Sequence, residues 1–214
     1  MPFLPDVARR GPGWLRSMRP QVGVPSVART AFAASVPSLI AMWALAALYL
    51  SLGPALFASM AGSENHAVGV LIIGTLMGFG AVTSVLVTEF EPRLLVIRGS
   101  LIVVLGVGIS LIAIVAESSV GLLVGSAVAG LGLGPAFSGV VRSLGPIAPP
   151  EKRGAMFAAL YIVIYVSISV PAIIAGIAAS RYGLTTTTYF FGLVVIVLAS
   201  ITTLAVSRRM PQLE

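Results

Sequence analysis

Residues 120–141 read VGLLVGSAVAGLGLGPAFSGVV, an uncharged run with Gly at 121, 125, 130, 132, 134 and 139 and a Gly-Pro pair in its second half. The hydrocarbon core of a bilayer is about 30 Å thick and takes about 20 helical residues to cross. This run therefore has the length and polarity of one crossing. In a helix interior Gly costs about 1 and Pro about 3 kcal/mol relative to Ala, so helix propensity does not account for Leu133-Gly134-Pro135-Ala136-Phe137. The same word occurs once more, as Leu52-Gly53-Pro54-Ala55-Leu56, about two thirds of the way along the first apolar stretch. The matching places of the two copies are the signal of an internal repeat.

Composition sets the frame for both copies. The chain is 57% hydrophobic and 9% charged, with a mean hydropathy of +1.05, whereas a soluble domain is usually about a quarter charged. It reads as an all-α integral membrane protein. The formal charge of +6 comes from basic residues that punctuate apolar runs, without the basic face and stacking aromatics of a nucleic-acid binder, so no nucleic acid is expected as partner. There is no cysteine, which removes disulfides, thiolate metal sites and thiol nucleophiles. No cleavable signal peptide is expected, because the first 30 residues are Arg- and Pro-rich and hold no apolar core.

Taken in order, residues 1–30 form an N-terminal tail, residues 31–209 a six-helix transmembrane domain and residues 210–214 a short C-terminal tail. The apolar spans are residues 31–63, 67–88, 94–116, 120–141, 155–179 and 184–206. Gly74 and Gly78 give the second a face of small residues, and the glycines of the fourth, several at four-residue spacing, permit close helix approach. Arg98 lies near enough to the end of the third span to snorkel. The loop through Gly145, Pro146, Pro149, Pro150, Glu151, Lys152, Arg153 and Gly154 is expected to separate spans four and five, because its prolines lack the N–H a helix needs.

Six spans put both termini on one side, and twelve of the 13 Lys and Arg residues fall on that side, with Arg181 alone opposite. The positive-inside rule then makes both termini cytoplasmic. Six helices also divide into two sets of three, and the odd number per set inverts the second. Each Gly-Pro word lies on the first helix of its set, as an inverted 3+3 repeat requires. Paired Gly/Pro interruptions of this kind point to the repeat interface of a secondary transporter.

The order of these features resembles the C-terminal six-helix half of a major facilitator superfamily transporter, half of a twelve-helix transporter fold. Residues 1–30 resemble that family's central cytoplasmic loop. The Gly-rich fourth span with Arg142 resembles its tenth helix, and Pro149-Pro150-Glu151-Lys152-Arg153-Gly154 resembles the loop that follows. Ser169-Val170-Pro171-Ala172-Ile173-Ile174-Ala175-Gly176, ending in Ser180-Arg181-Tyr182-Gly183, resembles its eleventh helix and terminal Gly turn. The departure is that the family's first six helices have no counterpart here. The resemblance implies secondary active transport of a small molecule by alternating access, in a bacterial inner membrane. The partner it implies is a second six-helix half: a separate chain, a missing N-terminal half or a second copy. The other reading is a non-transporting six-helix membrane protein, either a truncated remnant or an assembly partner.

Candidate functional residues follow from position. Tyr161, Tyr165 and Ser169 recur every four residues on helix five, so they either present hydroxyls to a central cavity or pack on a neighbouring helix or interface belt. The resemblance places the first, second, fourth and fifth spans along the cavity and the third and sixth outside it. Trp43 lies deep in its span, for substrate stacking or for core packing. Gly53, Pro54, Gly134, Pro135 and Pro171 are bend or gating positions, or static kinks needed for packing. Arg142, Lys152 and Arg153 either latch cytoplasmic helix ends by pairing with Glu151 or Glu89 or fix topology. His66 stands beside Glu64 in an exterior turn, as a solvated pair or a pH-sensing one.

None of the spans carries Asp or Glu in its middle, so a proton-coupling group, if there is one, belongs to the partner half. Enzyme chemistry is not expected. The sequence has neither a Gly-x-x-x-x-Gly-Lys-Ser/Thr phosphate loop nor a His-Glu-x-x-His zinc helix, and Ser138 has no base within reach. No cofactor or metal is expected.

Overall fold

A computed structural model describes residues 22–63 and 66–209. The outer parts of both expected tails, residues 1–21 and 210–214, lie outside the described residues, as do Glu64 and the side chain of His66 with which it was paired. The helices are α1 (Arg29–Ser51), α2 (Gly53–Met60), α3 (His66–Leu86), α4 (Pro92–Val115), α5 (Ser119–Leu144), α6 (Pro150–Tyr182) and α7 (Leu184–Arg209). A short 3-10 turn, Ser26–Ala28, leads into α1. There is no strand among the described residues.

Among the described residues, six helices are long and apolar enough to cross a bilayer, with mean hydropathies between 1.8 and 2.4 over their most apolar windows. This marks an integral membrane protein. At about 1.5 Å per residue, α6 is about 50 Å long, so it tilts or projects beyond the hydrocarbon layer.

The prolines sort by what they cost. Pro54, Pro92 and Pro150 stand in the first turn of a helix, where the missing N–H would have no intrahelical partner. Pro37, Pro135 and Pro171 lie inside helices that run through them. This corrects the loop expected at residues 145–154. Pro149 caps α6 and Pro150 begins it, so Glu151, Lys152, Arg153 and Gly154 are its first turns and the connection shrinks to residues 145–149.

Contacts between distant segments place the helix ends. Gly23 N–H donates to Ala155 O at 3.3 Å, Arg142 reaches Val87 and Arg93 reaches Ser207. These segments therefore share one end of the bundle, which is also the end where the described chain begins and finishes. Three helix ends at the other pole stop on left-handed residues: Gly62 (φ 61°) after α2, Glu117 (φ 50°) after α4 and Gly183 (φ 87°) after α6.

The α4 terminus is a Schellman turn, with Ser118 N–H donating to Ala113 O at 2.9 Å and Glu117 N–H to Ile114 O at 3.2 Å. Glycine is the residue that fills its left-handed position without cost. Glu there costs about 1 kcal/mol or more.

Glycines set the inner spacing. A Cβ on Gly106 would collide with the Ala129 backbone, and one on Gly132 with the Gly99 carbonyl, so α4 and α5 approach to backbone contact. Gly130 and Gly134 do the same for α5 on α3, where a Cβ would strike the Leu76 and Gly80 carbonyls. Around this centre α1 packs on α5, α6 and α7, α4 packs on α7, α6 on α7, and α2 lies on α3. One apolar cluster includes Leu45, Leu56, Ile72, Leu76 and Val103; a second includes Leu39, Met42, Val140, Met156 and Leu160.

Candidate functional site

The two helices with the least cover are α6 and α3. Only 17% of the apolar window of α6 and 22% of that of α3 is buried, against 61% for the window beginning at Ser26 and 50% for both α4 and α5. On α6, Leu160, Ile164, Ser167 and Ala175 are buried, while α1 is its main neighbour. Tyr161 and Tyr165 are 55% and 65% exposed, and Ser169 is exposed as well. A four-residue step advances about 400° around a helix, so the three stay on one face. The two rings lie 6.5 Å apart, tilted by 32°.

The structure thus groups Tyr161, Tyr165 and Ser169 and turns them out of the bundle. No cavity described within the chain receives them. On α3 the uncovered face carries Ala67, Leu71, Gly74, Gly78, Phe79 and Val82 along an open groove. A Cβ at Gly74 or Gly78 would meet nothing within 4 Å.

Trp43 takes a different position. Its ring meets Phe137 edge-on at 5.5 Å and 88°, tying α1 to α5 inside the second apolar cluster. The indole Nε1 is buried without a hydrogen-bond partner among the described residues.

The Gly-Pro words diverge. At Leu52 (φ −108°, ψ −24°) the chain leaves α1, and α2 restarts at Gly53 with Pro54 in its first turn. Gly134 and Pro135 are buried inside continuous α5. Both words dock on α3. A Cβ on Gly69 would lie 2.6 Å from Pro54 O, and one on Gly134 would lie 2.6 Å from Thr83 Oγ1 and 2.8 Å from Ser84 Oγ. The α3 docking points, Gly69 and Gly80, are eleven residues or about 16 Å apart along its axis. Pro171 also lies within an unbroken helix.

Of the two readings of Arg142, a latch paired with Glu89 or Glu151 or a determinant of topology, the structure shows neither ion pair among the described residues and gives the guanidinium a backbone contact. Arg142 Nη1 donates to Val87 O at 3.3 Å, just past the end of α3. The last carbonyls of a helix have no intrahelical donor and carry its negative dipole end, so a guanidinium fits there. Lys152 and Arg153 are exposed in the first turn of α6, on either side of no acidic partner among the described residues.

Sequence reasoning did not single out Arg93, which plays the same part for another helix. Its Nη2 donates to Ser207 O at 2.9 Å near the end of α7. Nor did it pick out Tyr49, whose hydroxyl is 2.8 Å from Ser110 Oγ in the core between α1 and α4, or Ser126, whose Oγ donates to Ile72 O at 2.9 Å. A hydroxyl inside an apolar span was the available signal, because burying one unpaired costs about 1–3 kcal/mol.

What the arrangement offers chemically is a hydroxyl-bearing face on α6 and a small-residue face on α3, neither covered by the other described residues. No known protein-family model matches the chain, and no curated protein matches it.

Proposed function

We propose that this protein is one six-helix half of a secondary transporter for a small molecule, built as an inverted 3+3 repeat and working by alternating access against a second six-helix half. The observation that carries the reading is an exchange of helix partners. Let the first three spans, α1–α2, α3 and α4, correspond in order to α5, α6 and α7. The α1 contact with α6 then corresponds to α5 with α3, and α1 with α7 to α5 with α4. The contacts of α1 with α5 and of α4 with α7 map onto themselves, and all of these pairs are present. The contacts of α1 and α2 with α3 and of α6 with α7 stand outside the exchange.

The uncovered faces of α3 and α6 support the same reading. These are the second and fifth spans, which the resemblance assigns to the cavity. A tyrosine hydroxyl left in hydrocarbon lacks a partner, so a second half that encloses Tyr161, Tyr165 and Ser169 would satisfy them. The concentration of Lys and Arg on the side of the termini supports a cytoplasmic location for both ends, in a bacterial inner membrane.

A competing reading, a non-transporting six-helix membrane protein, draws on one observation. The internal cavity beside Tyr49 and Ser110 measures about 20 Å³, room for about one water, so no passage runs there. The genomic frame ahead of the first codon separates the two: six further spans favour the carrier. The chain has no cysteine, so Tyr165→Cys supplies a single cross-linking handle. A cross-link to a second six-helix half, with flux of some member of a small-molecule panel in vesicles holding both, is the expected result. Correct membrane insertion with neither cross-link nor flux overturns the proposal.

A further inference from the structure

At the end of the bundle away from the termini, α2 and α4 finish in the same pattern. After α2, Ser63 N–H donates to Ala58 O and Gly62 N–H to Ser59 O, with Gly62 left-handed. After α4, Ser118 and Glu117 repeat those bonds, and the left-handed residue is a glutamate. The position is doubly unfavourable for it, since a carboxylate also opposes the negative dipole end of the helix it terminates. Between these ends and the start of α7 lies a half-open cavity of about 340 Å³, lined by Leu56, Ser59, Met60, Ile114, Glu117 and Thr185.

Among the described residues, Glu117 is the one charged residue on this wall. Ser59 Oγ donates to Leu56 O at 2.8 Å, which leaves its lone pairs able to accept. The side chains of Glu117 and Thr185 form no hydrogen bond or ion pair among the described residues. Arg181, the cation at the same end of the bundle, is not part of the wall.

We propose that this cavity binds a small primary amine in its ammonium form. The charge is held by the Glu117 carboxylate, the N–H donors are shared with the Ser59 and Thr185 hydroxyls, and the alkyl part lies on Leu56, Met60 and Ile114. Two helix C-termini, those of α2 and α4, add their negative dipole ends to the same place. A bare metal cation fits less well. Calcium takes six to eight oxygen ligands, whereas three of the described residues of this wall carry side-chain oxygen, and the cavity far exceeds an ion in size.

The site stands independently of the transport reading, because binding is read on the purified full chain without flux. The probe is n-butylammonium chloride, titrated against the chain in nanodiscs while intrinsic fluorescence reports the thermal midpoint. Sodium chloride and tetramethylammonium chloride at equal ionic strength are the reference salts. A saturable rise on the order of 2 °C, specific to n-butylammonium, is the expected result. Glu117→Gln abolishes it, while Ser59→Ala and Thr185→Val each weaken the apparent affinity about threefold to tenfold. Glu117→Gly raises the ligand-free midpoint, because glycine takes the left-handed turn without strain, and loses the amine response. An equal rise in the reference salts, or an amine response that survives in Glu117→Gln or Glu117→Gly, overturns the proposal.

Discussion

Leu52-Gly53-Pro54-Ala55-Leu56 and Leu133-Gly134-Pro135-Ala136-Phe137 share four residue types in order, and the chain does opposite things with them. The first ends one helix and begins another; the second runs inside a single helix of 26 residues. Local propensity is the same at both, so neighbours make the difference. A Cβ at Gly53 would press on the Ile72 Cγ2 methyl at 3.3 Å and touch the Tyr49 side chain at 3.8 Å, whereas one at Gly134 would enter the Gly80 carbonyl and two hydroxyls of α3. At backbone range the second word is met by both α3 and α4, whereas the first is met by α3, at Gly69 against Pro54 and at Ile72 beside Gly53, with Leu52 and Leu56 held by side-chain packing in the apolar clusters. A helix whose backbone is met closely from two sides keeps its course through a proline, and one met at backbone range from one side restarts.

Gly134→Leu breaks this comparison most severely. Its side chain has no space between α5 and α3, and the expected cost is about 3 kcal/mol or more, read as loss of the folded species on heating in detergent. Gly53→Ala is the mild counterpart and costs less than about 1 kcal/mol, since the nearest atom that must yield is a side-chain methyl and not a carbonyl. Equal losses in the two variants would mean that the words are packed alike.

Tyr49→Phe sharpens the comparison one turn ahead of the first word. It removes the hydroxyl bonded to Ser110, and the expected cost is about 0.6 kcal/mol, the usual scale for a hydrogen bond between membrane helices. The Ser110 hydroxyl keeps its bond to Gly106 O at 3.1 Å. Reversible unfolding in mixed micelles measures the difference.

Pro54→Ala restores an N–H for the Leu50 carbonyl. Its effect on the midpoint is below about 0.5 kcal/mol, because a proline in a first turn forfeits no intrahelical bond. Amide exchange at residue 54 shows whether α1 and α2 have joined. A gain near the 3 kcal/mol of an interior proline would show that the break is strained.

Gly74→Leu has the smallest effect on the chain alone. With nothing within 4 Å of its Cβ, the midpoint stays unchanged within about 0.5 kcal/mol, while cross-linking of a cysteine at Tyr165 to a second half falls if α3 meets that half.

The spans were legible because charge and hydropathy act residue by residue. The uncharged runs and the turns at Glu89–Arg93 and Glu117 fall where the helices end, to within a few residues. Misreadings came where the outcome depends on partners outside the segment. Pro150 looks like a helix breaker until its place in the first turn is known, and Arg142 looks like an ion-pair former until the free carbonyl of Val87 is beside it. Glu117 gave no sign of its conformation, because a left-handed turn there is usually written with glycine.

Composition and the spacing of charges by themselves determined that this is a membrane protein with, among the described residues, six segments fit to cross a bilayer, since the bilayer acts as a solvent on each segment separately and rejects charge wherever it falls. The tertiary structure alone decided which faces meet. It set α4 against α5 at backbone contact, turned Tyr161 and Tyr165 outward and let one Gly-Pro word break while its twin continued. Those outcomes depend on carbonyls and methyl groups brought in from distant helices, which no local stretch of sequence contains.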